Sequence, residues 1–69
     1  MTTDEQLKKL GEAIRIEMAK KKLSQNKLAE LADIDARTVK KVTDGSEKVS
    51  IGMFVRVANA LGKYIKLEG

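Results

Sequence analysis

The sequence contains no cysteine and no histidine. That excludes disulfide bonds, the common zinc sites, and any catalysis that runs through a thiolate or an imidazole. Tryptophan is absent as well, and one Phe and one Tyr are the only aromatic residues, so the core must be aliphatic. No apolar run approaches the ~20 residues that span a bilayer, and the N-terminus lacks the apolar stretch of a secretion signal. The expectation is therefore a cytoplasmic protein without membrane contact. There is also no Gly-rich phosphate loop, no nucleophile beside a base and no metal-ligand spacing. The carboxylates stand at helix starts or lie scattered on helical faces. No enzyme is expected, and neither a cofactor nor a metal.

What is present is short and charged. The 69 residues make one domain, 1–69, near the lower limit for a chain that buries its own core without metals or disulfides. The net charge of +4 favours an acidic partner, nucleic acid or acidic protein. The 35% of charged residues also serves solubility, so charge alone does not choose between them.

The most informative stretch is Leu23 to Gly45, LSQNKLAELADIDARTVKKVTDG. Ser24 is placed as an N-cap, with Leu23 and Leu28 spaced to close a hydrophobic staple around it. The same pattern returns with Ile34, Asp35 as cap, and Val39. These caps predict a helix over 24–32 and a second over 35–43. Only a tight turn fits between them, with Asp33 as its left-handed residue, since a short polar side chain tolerates positive φ. Helices this short must pack on something. On the second helix, Arg37 lies at roughly 0°, Lys41 at 40°, Asp44 at 340° and Lys40 at 300°. Val42, Val39, Thr43 and Ala36 span roughly 140° to 260° and face inward. Thr38 sits on the flank. A short helix propped on a partner and presenting a guanidinium fork suits the major groove, where Arg pairs with the N7 and O6 acceptors of guanine. Asp44, on the same stripe, either repels phosphate or holds Arg37 or Lys41 in register.

The remaining elements surround this pair. Thr3 and Gln6 have capping-box spacing, followed by a helix to about Lys22. Its buried stripe is Leu7, Leu10, Ile14 and Met18, with Gly11 beside them to let another helix approach closely. Ile16 lies opposite. Lys20, Lys21 and Lys22 complement the negative end of the helix dipole and also stand just before Ser24, where a DNA-backbone role is open to them. After Gly45 come a polar loop, then Val49, Ser50 as cap and Phe54 as staple partner. The helix from Ile51 to about Leu61 is expected to bury Ile51, Phe54, Val55, Ala58 and Leu61, leaving Met53 and Val57 outside that stripe. Gly62 stands at the C-cap position. Residues 63–68 switch to a period of two, with Ile65 and Leu67 alternating with Tyr64, Lys66 and Glu68. That is a strand pattern. A lone strand is not stable unpaired, so pairing with the same strand of a second copy is the expectation.

The order Leu23, Ser24-Gln25, Leu28-Ala29, a turn at Asp33-Ile34, Val39, Val42 and Gly45 resembles the helix-turn-helix of the lambda-repressor/Cro-like DNA-binding domains, of the xenobiotic-response-element type. The likeness extends more loosely from about Leu10 to Leu61. It implies an all-α fold: a small bundle of four to five short helices, here with a C-terminal strand pairing across a dimer. By position, the resemblance puts Ser24 and Gln25 at DNA phosphates and Ala36, Arg37 and Lys41 at bases. It puts Ser46 and Lys48 at the backbone beyond the recognition helix, and Thr38 and Lys40 are expected at the backbone too. Ala36 offers only a methyl group, so direct readout falls to Arg37 and Lys41. The chain departs from the family pattern in having Asp33 for the turn glycine and Val49 for a proline. It also has Met18 and Thr43 where an Arg–Glu pair is frequent, and both partners are replaced together.

The expected function is a dimeric repressor that reads a palindromic operator in double-stranded DNA, with Met53, Val57, Tyr64, Ile65 and Leu67 as the candidate homodimer interface. The alternative is an antitoxin-like module that binds a protein toxin and controls its own operon. The wide apolar surface around Met53 and Val57 is compatible with that.

Overall fold

The computed structural model describes residues 1–68 and contains four helices: α1 (Thr3–Lys20), α2 (Gln25–Ala32), α3 (Ala36–Thr43) and α4 (Ile51–Ala60). The bundle is all-α, with no strand among the described residues. Each helix begins after a Ser, Thr or Asp in extended backbone. The Ser24 hydroxyl accepts the Lys27 amide at 3.1 Å, and Asp35 accepts the Arg37 amide at 2.8 Å. Ser50 holds the cap position of α4 without a side-chain hydrogen bond. At α1 the capping box forms one residue earlier than expected: Thr2 accepts the Glu5 amide at 3.1 Å and Glu5 accepts the Thr2 amide at 3.4 Å. Thr2/Glu5 and Thr3/Gln6 share the spacing, but only the former puts an anionic partner against the positive end of the helix dipole.

All four helices end in the same way. A residue with left-handed backbone follows the last turn: Lys22, Asp33, Gly45 and Gly62, with φ of 55°, 56°, 71° and 72°. The next amide then reaches back five residues, Leu23 to the Met18 carbonyl at 2.9 Å, Ile34 to Ala29 at 3.0 Å, Ser46 to Lys41 at 3.0 Å and Lys63 to Ala58 at 2.9 Å. This closure satisfies carbonyls that the helix end would leave orphaned. At α1 it stops the helix at Lys20, short of the expected Lys22.

The core is aliphatic with one ring. Leu28, Val39, Val42, Phe54 and Val57 are wholly buried at its centre, with Ile14, Ala29, Ala32 and Leu61 around them. Each of the larger side chains contributes about 1.5–3 kcal/mol by leaving water. α2 packs against α3 and α4, and α1 against α3. The approach of α1 to the end of α3 is so close that a Cβ on Gly11 would lie 2.4 Å from the Thr43 carbonyl oxygen, and one on Gly45 2.7 Å from the Leu7 backbone. Glycine is therefore required at both points.

Two expectations fail. α4 is rotated relative to the predicted stripe: Val57 is buried, whereas Ile51 and Val55 are 65% and 41% exposed. The apolar arc of α4 is wider than one contact face, and packing on α2 selects the part centred near Phe54, Ala58 and Leu61. Val57 thus belongs to the chain's own core and is unavailable to a partner, while Met53 is half-buried at its margin. The second failure is the tail. Residues 63–68 form no strand. Ile65 packs against the core, and Lys63 lies 3.9 Å from the Glu17 carboxylate. Tyr64 and Leu67 stand 78% and 100% exposed. The alternation seen in the sequence needs a second strand to become a ladder, and a single copy supplies none.

Candidate nucleic-acid interface

α3 presents the predicted face. Val39, Val42 and Thr43 point into the bundle, with the Thr43 hydroxyl donating to the Lys40 carbonyl at 3.0 Å. Arg37, Lys40 and Lys41 are exposed, and Ala36 and Thr38 are half-exposed on either flank. The Arg37 side chain is 89% exposed, so its five donors are almost fully available to a base edge.

The start of α2 lies against the start of α3. The Gln25 side-chain amide donates one N–H to the Ala36 carbonyl at 3.3 Å. Its second N–H remains to donate, and the Ser24 hydroxyl, which accepts from Lys27, still has its own hydrogen to donate. Ser24, Gln25, Asn26, Ala36, Arg37 and Lys40 line one shallow depression. Ser46 is half-buried and accepts the Lys48 amide at 3.1 Å, which folds the loop after α3 and leaves Lys48 exposed. Five of the predicted contact residues thus converge on one depression, and Lys41 continues the same helix face. Thr38, Ser46 and Lys48 lie outside it.

The three cations of α3 differ in their neighbours. The Arg37 guanidinium lies 3.5 Å from Asp35. The Arg37 amide, and then its guanidinium, hold the Asp35 carboxyl below the usual carboxylate range. Lys40 lies 3.3 Å from Asp44. Lys41 has no carboxylate of the described residues within ion-pair distance. Asp44 therefore engages neither Arg37 nor Lys41, the two partners expected for it. It binds Lys40 and, across the helix interface, Arg15 of α1 at 2.7 Å.

Sequence reading missed two features. One is Arg15, which ties α1 to the end of α3 next to the positions where Met18 and Thr43 replace the family's Arg–Glu pair. The signal was present, because Arg15 is one turn beyond Gly11, and whatever Gly11 packs against must have Arg15 beside it. The other is the bracing bond of Gln25 to Ala36, which depends on the angle between two helices and leaves no mark in either one alone.

Among the described residues no helix is long and apolar enough to cross a membrane. A family model described as helix-turn-helix matches residues 13–67. This span takes in all of α2, α3 and α4 and the last turns of α1. No curated protein matches the chain.

Proposed function

Since the chain belongs to the helix-turn-helix family, in its lambda-repressor/Cro-like form, and is thereby a DNA-binding transcriptional regulator, we propose that it acts as a dimeric repressor on a palindromic operator. α3 enters the major groove. Arg37 and Lys41 read base edges and Ala36 offers its methyl group to a thymine. Ser24, Gln25, Thr38, Lys40, Ser46 and Lys48 hold phosphates on either side and fix the register without reading sequence. The observation that supports this reading most directly is the face of α3. It is an exposed Arg-Lys stripe whose opposite side is locked into the core by Val39 and Val42.

A single α3 reads too few base pairs to select a site, so the reading requires two copies. Two-fold pairing places two recognition helices about 34–36 Å apart, one turn of duplex. Tyr64 and Leu67, the apolar tail side chains left in water, carry the contact. Ile65 backs them from the core, and Met53 is the remaining candidate on α4. Bound there, the dimer represses by occupying the operator and excluding polymerase. Selection of bound duplexes from a randomised pool at near-physiological salt tests the reading. Enrichment of an inverted repeat with half-sites one turn apart is the expected result. Binding without enrichment, lost at modest salt, would reduce the basic surface to an electrostatic footprint and turn the search to a protein partner.

A further inference from the structure

Asp44 is an acid where helix stability disfavours one. It caps the C-terminus of α3, the negative end of the dipole, where cations are preferred. It also lies within roughly 60° of Arg37, Lys40 and Lys41 on the helix, on the side offered to a polyanion. Its carboxylate is not left to water. One oxygen accepts from Arg15 Nη2 at 2.7 Å and the other from Lys40 Nζ at 3.3 Å. The three side chains are 57%, 42% and 66% exposed in the order Arg15, Asp44, Lys40, and ion pairs so wet add little to folding. The arrangement has an effect on charge instead. It occupies one of the three cations on the DNA-facing helix before any DNA arrives. Arg15, anchored on another helix, keeps the carboxylate in place so that it does not follow Lys40 outward.

We propose that Asp44 is a specificity-determining residue, which lowers binding to random DNA by withholding Lys40 from phosphates. Non-specific binding is almost wholly phosphate attraction, so it loses most when a cation is neutralised and an anion faces the backbone. At an operator the base contacts of Arg37 and Lys41, which Asp44 does not touch, seat α3 in one register and draw Lys40 from Asp44 onto its phosphate, so the operator complex keeps a contact that random DNA does not gain. The result is a larger ratio between the two. The inference rests on the reading of α3 as the helix that faces DNA.

The test compares Asp44→Asn with the wild type on a random-sequence duplex and on the operator obtained by selection, across a salt series. Asp4→Asn serves as control: it removes the same charge from a carboxylate that is 68% exposed and, among the described residues, paired with Lys8 alone, at the start of α1. With Lys40 released, affinity of Asp44→Asn for the random duplex rises about threefold or more, and its log–log salt slope steepens by about 0.9 for each protomer bound. Affinity for the operator rises less. Adding Lys40→Ala removes the gain, and Asp4→Asn does not show it. An unchanged slope, or an equal gain in Asp4→Asn, would overturn the proposal while leaving the DNA-binding reading intact. Wild-type protein that binds no duplex even at ~50 mM salt would overturn both. Thermal unfolding of each variant shows whether a loss of binding is only a loss of fold.

Discussion

Between Ser24 and Gly45 the chain supplies its own partners, and after Gly62 it does not. In the first segment both caps are filled, the turn closes on the Ala29 carbonyl, and Gln25 braces the far helix. In the tail, among the described residues, Lys63 alone makes a backbone hydrogen bond, and Tyr64 and Leu67 lie in water. The two segments have comparable apolar content, so hydrophobicity is not what separates them. Helical turns find their hydrogen bonds within four or five residues, whereas an extended segment must find them on another strand. The first region is therefore determined by the chain alone, and the second is not.

The sharpest way to break the self-sufficient region is at Gly11. Gly11→Ala puts a methyl group 2.4 Å from the Thr43 carbonyl oxygen. The obstacle is backbone, which cannot rotate away, so α1 must lift from α3. A loss of about 3 kcal/mol is expected, a large fraction of what so small a domain has. Urea unfolding followed by circular dichroism reads it, and an unchanged midpoint would mean that α1 and α3 do not approach so closely. The tail should answer in the opposite sense. Burying a leucine contributes about 1.5–3 kcal/mol, and a two-fold contact counts it twice. Leu67→Asp should therefore raise the dimer dissociation constant roughly a hundredfold or more, seen as halved mass in light scattering. The unfolding of dilute protein should move by no more than about 0.5 kcal/mol. A dimer that persists would shift the contact to α4, around Met53 and the exposed Ile51 and Val55 beside it.

Arg37→Ala separates reading from folding inside the first region. The side chain is 89% exposed and its one acidic neighbour among the described residues is Asp35, at 3.5 Å, so unfolding should hardly change. Discrimination at one operator position should fall by about 1–3 kcal/mol while much of the non-specific affinity remains. Competition between the operator and single-base variants measures it. If preference among the variants stayed as it was, α3 would not be the reading helix.

How much was legible follows the same division. The two caps of the motif, the Asp33 turn and the inward face of α3 depend on residues a turn apart, and they were readable from spacing. The face of α4 was not, because its apolar residues cover more of the helix than the core uses. Only the position of α2 decides that Val57 goes in and Val55 stays out. The first cap was off by one because two adjacent threonines both had an acceptable partner three residues on. In the candidate interface the cations were legible as a stripe, but their pairing was not. Asp44 sits within reach of Lys40 by spacing, yet its stronger partner, Arg15, is 29 residues away in sequence.

The four helix ends give the finest version of the comparison. Gly45 and Gly62 announce left-handed backbone, and Asp33 permits it. Lys22 does neither, and for that reason α1 was expected to run on to it. A lysine at φ of 55° has its Cβ crowded against the following carbonyl, at a cost of about 1–2 kcal/mol relative to ordinary helical backbone. The surrounding closure, Leu23 amide to Met18 carbonyl at 2.9 Å, imposes this conformation. Lys22→Gly relieves the crowding but returns freedom to the unfolded chain, so the net gain should be about 0.5–1 kcal/mol. Lys22 is exposed and has no carboxylate of the described residues within ion-pair distance, so no charge pair is lost with it. Asp33→Gly, at nearly the same φ, should gain less, because a short polar side chain is strained less there. Side-by-side urea unfolding decides it. If Lys22→Gly were no more stable than the wild type while Asp33→Gly gained, the strain at the end of α1 would be relieved by something other than backbone freedom, and the four ends would not be equivalent.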